Sequence, residues 1–228
     1  MVEREASIER LSTHTVPKTD GTYLTRRFLS RDIAYAAKKF AKGNLLDIGC
    51  GNKPYESLFT TYVTKYVGCD IVQSDQSKVD VICEANKIPL SNDQFETIFS
   101  TQTIEHVFDH KGLVNEAFRL IKPGGYFILS GPMYWPLHEE PYDFYRFTKH
   151  GFRQILVDSG FEISEIKENG GKWALFGQVL IHTFPKVLTG SRPVRYLLNS
   201  IFEFLDKRFF DPISTTNYVI IAKKSDGK

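Results

Sequence analysis

Apolar residues fall at helical spacing over 28–41, where Phe28, Leu29, Ile33, Ala36, Ala37 and Phe40 share one face. Gly43 and Asn44 end that helix. From there short apolar runs take over and predict strands at 45–49, 66–70, near 79–83, 96–101, 125–130 and 161–166. Helices are predicted between them at 54–60, 111–121 and 149–159, and NYVIIAKK (217–224) reads as a last strand. Asp109 and Thr148 are placed to cap two of these helices, and Lys122-Pro123-Gly124-Gly125 and Gly160 to end them. Short strands alternating with helices imply parallel pairing and a three-layer α/β domain.

About 50 residues separate the last two strands, far more than a hairpin connection of about 2–5 residues needs. They carry two further helical patterns. Trp173, Phe176, Val179, Leu180, Phe184, Val187 and Leu188 line up within 173–188. Val194, Leu197, Leu198, Ile201, Phe204, Leu205 and Phe209 line up within 193–209, with Pro193 suited to the first turn. Lys172, Lys186, Arg192, Arg195, Lys207 and Arg208 flank these stripes. Two readings of 173–209 stand side by side. In one, a helical hairpin packs on the domain or forms a homodimer interface. In the other, it makes peripheral contact with an anionic membrane surface, since the stripes are too short to span. The whole chain reads as a single domain: a helical cap (1–43), a core (44–167 and 214–224) and a helical insertion (168–213).

At 228 residues the chain suits one substantial domain. Its formal charge of +2 gives no concentrated basic character, so no nucleic-acid partner is expected. The opening MVEREASIER lacks the apolar core of a signal peptide, and a cytoplasmic location, with contact at the inner membrane face as an option, is the expectation. Cys50, Cys69 and Cys83 sit at or near strand ends without a CxxC-like pair, so they read as reduced core residues and no metal site is expected.

The chemistry begins at LLDIGCGNKPY (45–55). Gly49 and Gly51 let the backbone approach a ligand where a strand turns into a helix. Pro54 stands where a dinucleotide fingerprint needs its third glycine, which disfavours a nicotinamide cofactor. Asp47 suits a cationic amino-acid moiety better than a pyrophosphate. Alone, the loop is a weak signal, and a tight turn with no ligand is the alternative to a cofactor loop. Asp70 ends the second strand 19 residues after Gly51, where a carboxylate can hold the hydroxyls of a ribose. Glu84 ends the third strand and can accept from an adenine amino group.

The ordered series LLDIGCGNKPY, YVGCD, EANKIPLSNDQFETI, IEHVFD and RLIKPGGYFILSGP resembles the class I S-adenosylmethionine-dependent methyltransferases, in particular the type 11 group. The resemblance covers roughly 44–167 and the last strand. It implies a Rossmann-like sheet of seven strands with the last antiparallel, and S-adenosyl-L-methionine as cofactor. It places Asp47, Gly49 and Gly51 around the methionine end, Asp70 at the ribose, Glu84 and Ala85 at the adenine, and Gln102 and Thr103 near the methyl group. Lys53 replaces the family's usual third glycine and can pair with the cofactor carboxylate.

An alcohol acceptor also needs a base. His106 follows the fourth strand at the rim where open α/β sheets bind ligands. MYWPLHEEPYDFYRFT (133–148) follows the fifth strand and mixes aromatic with polar residues, as a small-molecule pocket does. His138, Asp143 and His106 are the candidate catalytic residues, and Tyr134, Trp135, Tyr145 and Arg146 the candidate acceptor-binding ones, Arg146 for an acceptor phosphate. The run His138, Pro141, Asp143, Phe144, Arg146, Phe147, Thr148 resembles type 11 methyltransferases of bacterial surface-polysaccharide gene clusters, which implies a small-molecule or glycan acceptor. The expected function is O-methylation of a sugar hydroxyl in surface-glycan synthesis. A lipid or quinone methyltransferase and a cofactor-binding scaffold without transfer activity are the alternatives.

Overall fold

The computed structural model describes residues 10–184 and 189–226. Lys186, Val187 and Leu188, assigned above to the first helix of the insertion, lie outside the described residues. Seven strands form one sheet: β1 (Asn44–Ile48), β2 (Lys65–Asp70), β3 (Val81–Ile82), β4 (Phe95–Thr101), β5 (Ile121–Pro132), β6 (Phe161–Asn169) and β7 (Asn217–Lys224). Their order is β3-β2-β1-β4-β5-β7-β6. β1 pairs in parallel with both β2 and β4, and β7 runs antiparallel between β5 and β6. The chain moves outward from β1 to β3 and then returns to the other side of β1 with β4. A crevice therefore opens at the carboxyl ends of β1 and β4, where such sheets bind ligands.

Side chains alternate across the sheet, so adjacent residues feed opposite cores. Leu46, Ile98 and Leu129 pack with Leu113, Leu120 and Phe152 on one face. Leu45, Phe99 and Ile128 pack with Ile33, Ala37 and Phe59 on the other. The covering helices are α1 (Tyr23–Phe40) and α2 (Glu56–Phe59) on the second face, and α3 (His110–Leu120) and α4 (Lys149–Asp158) on the first. The predicted caps form: Asp109 accepts from Gly112 N at 3.0 Å and Thr148 from Gly151 N at 3.2 Å.

Several elements differ in extent from the sequence pattern: α2 keeps only Glu56–Phe59 of the predicted 54–60, and β6 runs on to Asn169. α1 starts at Tyr23, five residues before the predicted 28, because Asp20 takes the Thr22 N–H and hydroxyl and the added turn buries Tyr23 and Leu24 away from the sheet. β5 starts at Ile121, and the register with β4 jumps between Phe95 and Thr97 to accommodate Lys122–Gly125. β3 keeps only two residues of the predicted 79–83.

The insertion forms α5 (Lys172–Thr183) and α6 (Arg192–Arg208). Asp206 of α6 accepts from Gly171 N and Ala174 N, satisfying the start of α5 from the neighbouring helix. Asn199 donates to the carbonyls of Lys18 and Asp20, and Gln178 accepts from the Thr25 hydroxyl. Leu24, Phe28, Ala174 and Phe202 close the apolar contact with α1. The hairpin thus packs on the domain, while Leu197, Ile201 and Phe204 on α6 and Phe176 on α5 stay exposed. Among the described residues no helix is long and apolar enough to cross a membrane.

Candidate active site

The turn after β1 is fixed by its glycines and by the end of β2. Gly49 has φ +77°, and a Cβ there would lie 2.3 Å from the Thr103 side chain. Gly49 N and Cys50 N donate to the Cys69 carbonyl at 2.8 and 3.0 Å. Gly51 N donates to Asp70 Oδ2 at 2.9 Å, so the predicted ribose-holding carboxylate also shapes the loop. Its other oxygen accepts from Ile71 N at 2.7 Å and lies 3.8 Å from the Arg10 guanidinium. Lys53 does not reach the cofactor loop's ligand side. Its backbone, at φ +54°, sends the side chain across Gly68 to an ion pair with Asp80 at 2.6 Å, which corrects the expected pairing with a cofactor carboxylate.

Two cavities meet at this turn. One, of about 320 Å³, is lined by Asp47, Gly51, Tyr55, Gln102, Trp135 and His138 among others. The second, of about 540 Å³, is lined by Asp70, Ile71, Glu84, Ala85, Val107 and Phe144 among others. Gly49 and His106 border both. The sequence-predicted cofactor residues therefore divide between adjoining spaces: methionine-end residues in the first, ribose and adenine residues in the second.

Asp47 is buried, and its Oδ2 accepts from the Tyr66 hydroxyl at 2.6 Å, while Oδ1 has no partner among the described residues. Burial pushes its carboxyl up to about 7. The β-sheet register explains the Tyr66 contact: Leu45 pairs with Tyr66 and Asp47 with Gly68, so Tyr66 shares a face with Asp47. Gln102 holds φ +51° and donates its side-chain amide to Ser130 Oγ at 3.3 Å. Cys50 and Cys69 are buried free thiols, and Cys83, half-buried, lines the second cavity.

The 133–148 stretch folds over this crevice as a tied loop. Arg146 binds Asp143 bidentately at 2.6 and 2.8 Å and also donates to the carbonyls of Trp135, Pro136 and Tyr145. The Arg146 hydrogen bonds hold the Asp143 carboxyl well below the usual carboxylate range. Asp143 Oδ2 lies 3.2 Å from His138 Nδ1 and accepts from His138 N at 3.1 Å. The His138 ring meets the His106 ring edge-on with centroids 4.6 Å apart. His106 Nδ1 lies 2.9 Å from the Tyr142 carbonyl.

Of the predicted acceptor residues, Trp135 lines the first cavity. Arg146 acts as the loop's internal tie, Tyr145 donates its hydroxyl to the Phe108 carbonyl at 3.0 Å, and Tyr134 stacks beside His182. These three line neither cavity. Sequence reasoning passed over Tyr55, Thr25 and Arg26, which line the first cavity. It also passed over Glu105, fully buried beneath His106 with its carboxyl pushed up to about 8 by burial. An acid between Ile104 and the apolar Val107 at a strand end is the signal that was available for it.

Comparison with known proteins fits this geometry. A family model described as a methyltransferase domain (Methyltransf_23) matches residues 22–166. A Mycolicibacterium smegmatis protein named "Probable S-adenosylmethionine-dependent methyltransferase" is 25% identical over 155 residues, 60% of this chain and 60% of that one. A ubiquinone biosynthesis O-methyltransferase of Ruegeria pomeroyi is 27% identical over 123 residues, 47% of this chain and 49% of its own length. The chain thus matches only half to three-fifths of the length of these curated relatives. The solved structure of a SAM-dependent methyltransferase from Archaeoglobus fulgidus superposes with a TM-score of 0.58 at 19% identity, over 87% of this chain and 94% of that one, and shares its fold. With a family model matching residues 22–166, well over half of its length, the chain belongs to the methyltransferase domain family.

Proposed function

We propose that this protein transfers the methyl group of S-adenosyl-L-methionine to a sugar hydroxyl during assembly of a surface glycan. The observation that carries the reading is the meeting of two cavities at Gly49 and His106, one bordered by cofactor-type carboxylates and the other by imidazoles and an indole. The residues fit the cofactor. The unpartnered Asp47 Oδ1 suits an ammonium group, Asp70 a ribose, and the exposed Glu84 carboxylate with Ala85 an adenine edge. Gly49 keeps a Cβ out of the junction. When bound, the cofactor supplies a methyl group already activated on a sulfonium. The protein's own task is then to align the acceptor oxygen, exclude water and receive a proton.

His138 is placed for that proton. Among the described residues its Nδ1 faces two acceptors, the Pro136 carbonyl and Asp143, so Nδ1 carries the hydrogen and Nε2 the lone pair. Asp143, itself locked by Arg146, positions the ring. The polar character of 138–146 favours a sugar acceptor, as does the resemblance of this run to methyltransferases of surface-polysaccharide clusters. The exposed apolar row of α6, with Arg195, Lys207 and Arg208 on the same helix, suits peripheral contact with an anionic inner membrane face and an acceptor carried on a lipid. The same row, with the Ruegeria similarity, supports a second reading, a quinone or lipid acceptor.

The test is transfer of labelled methyl groups from S-adenosyl-L-methionine into an extract of the source cells, separated into lipid-soluble and water-soluble pools. Label released from lipid by mild acid as sugar, or found in sugar nucleotides, is the expected result. Label in an acid-stable lipid or quinone would favour the second reading. Cofactor binding with no label in either pool would make the protein a binding scaffold.

A further inference from the structure

Three ligand-bearing side chains converge where the acceptor would sit. Glu105 and His106 lie in the short 3-10 turn Ile104–His106 that follows β4, and His138 lies in the loop after β5. One ligand atom from each falls within 4.8 Å of the others.

Their partners prepare them for a cation. Glu105 is 0% exposed, and among the described residues neither of its carboxylate oxygens has a hydrogen-bond partner. A carboxylate buried in that state stays ionised only where positive charge meets it, and Arg146 supplies part of that charge from nearby. The Tyr142 carbonyl can only accept, so His106 donates from Nδ1 and holds the tautomer with its lone pair on Nε2. The Pro136 carbonyl and the Asp143 carboxylate impose the same tautomer on His138. A carboxylate behind a ring N–H, itself fixed by a bidentate arginine, is the outer support that metal-binding imidazoles use.

We propose that Glu105, His106 and His138 bind one divalent first-row transition-metal ion, of the manganese-to-zinc series, at the acceptor end of the first cavity. Two imidazole nitrogens and one carboxylate suit these ions better than magnesium or calcium, which favour all-oxygen sets. Metal–ligand bonds of about 2.0–2.1 Å at tetrahedral angles put ligand atoms about 3.4 Å apart. The 4.0 Å between His106 Nε2 and Glu105 Oε1 closes to that by small side-chain rotations. Three protein ligands leave a position open toward the cavity that His106 and His138 line.

This assignment deepens the acceptor site and rests on the proposed methyl transfer only for what fills the open position. An acceptor hydroxyl bound there loses its proton to water, because the ion lowers its pKa. Its oxygen then forms the bond to the methyl carbon as the carbon–sulfur bond breaks, with that electron pair remaining on sulfur. In this arrangement His138 is a ligand, which replaces direct proton transfer to its Nε2.

The experiment uses the full, untagged chain, stripped with a chelator, dialysed and titrated calorimetrically with Zn²⁺ alone. Co²⁺ alone is followed in parallel by its visible absorption. One equivalent of each ion should bind, and saturating Zn²⁺ should raise the melting temperature. Glu105→Gln and His138→Ala should each weaken binding at least ten-fold and change the cobalt spectrum. Glu105→Gln removes a buried unpaired acid at nearly constant shape, so it keeps the fold. Absence of stoichiometric binding, or equal affinity in both variants, would overturn the site. S-adenosyl-L-methionine affinity is measured on the same metal-free samples. Cofactor binding without metal binding would sink this site alone, and metal binding without cofactor binding would sink the methyl-transfer reading alone.

Discussion

Replacing Asp47 by Asn should move stability and cofactor affinity in opposite directions. The carboxyl is buried, keeps one oxygen unpartnered, and is pushed up from 3.8 to about 7. A folded-state value above the unfolded one means that the neutral acid is the favoured form. Its contribution is fully present below pH 3.8 and is lost as pH rises through about 7. At pH 8 the ionised group costs at most about 4 kcal/mol, from roughly three pK units at about 1.36 kcal/mol each. Asn cannot ionise and still accepts from Tyr66. The variant should therefore melt several degrees higher than the wild type at pH 8, at about 2–4 °C per kcal/mol for a chain of this size, and equally at pH 4. Binding should go the other way. Losing a charge-assisted bond to the cofactor's ammonium costs about 1.5–3 kcal/mol, or roughly 10–150-fold in Kd. The wild-type Kd should also tighten about ten-fold per pH unit up to about 7 and level off above, because binding selects the ionised acid; the variant should lack that slope. Calorimetry and thermal melts at pH 5.5, 7 and 8 test both. A variant that binds S-adenosyl-L-methionine within three-fold of wild type, with the wild-type pH slope, would refute the role given to Asp47.

Other substitutions probe the remaining parts. Asp70→Ala should weaken cofactor binding by calorimetry and loosen the loop that Gly51 N ties to it; unchanged affinity would remove Asp70 from the ribose site. Gly49→Ala meets both a positive φ and the Thr103 side chain, and chemical denaturation should show a loss of about 2–4 kcal/mol. His138→Ala should lower turnover at least 100-fold while leaving S-adenosyl-L-methionine affinity within a few-fold, and an active variant would remove it from the acceptor site. Phe204→Ser with Leu197→Ser, both exposed on α6, should reduce sedimentation with anionic vesicles without changing the melting temperature. Equal sedimentation would leave that face without a membrane role.

The sheet was legible because its signals are local. Apolar runs, the caps Asp109 and Thr148, and the glycines after β1 each act within a few residues, and they predicted strands alternating with helices in a three-layer α/β domain, while the seven strands and the antiparallel last one followed from the family resemblance. That Asp47, Asp70 and Glu84 would border neighbouring cavities was legible for a related reason, since strand ends in this topology converge on one edge. Less visible was whatever depends on contacts across the fold. The first turn of α1 forms against the insertion, so its periodicity toward the sheet gave no sign of it. Arg146 has the chemistry of a phosphate ligand, yet its donors close the loop onto Asp143 and three carbonyls. Lys53 looked poised for a carboxylate until the left-handed turn sent it to Asp80. Glu105 and His138 are separated by 33 positions, and only the pairing of β4 with β5 brings them together.

The most direct measurement of the central claim is the conversion of S-adenosyl-L-methionine to S-adenosylhomocysteine, quantified by mass spectrometry with and without source-cell extract. Wild-type protein should form many equivalents of S-adenosylhomocysteine per chain when extract is present and almost none without it, and His138→Ala should not. Tight binding of S-adenosyl-L-methionine with no extract-dependent conversion would contradict the account.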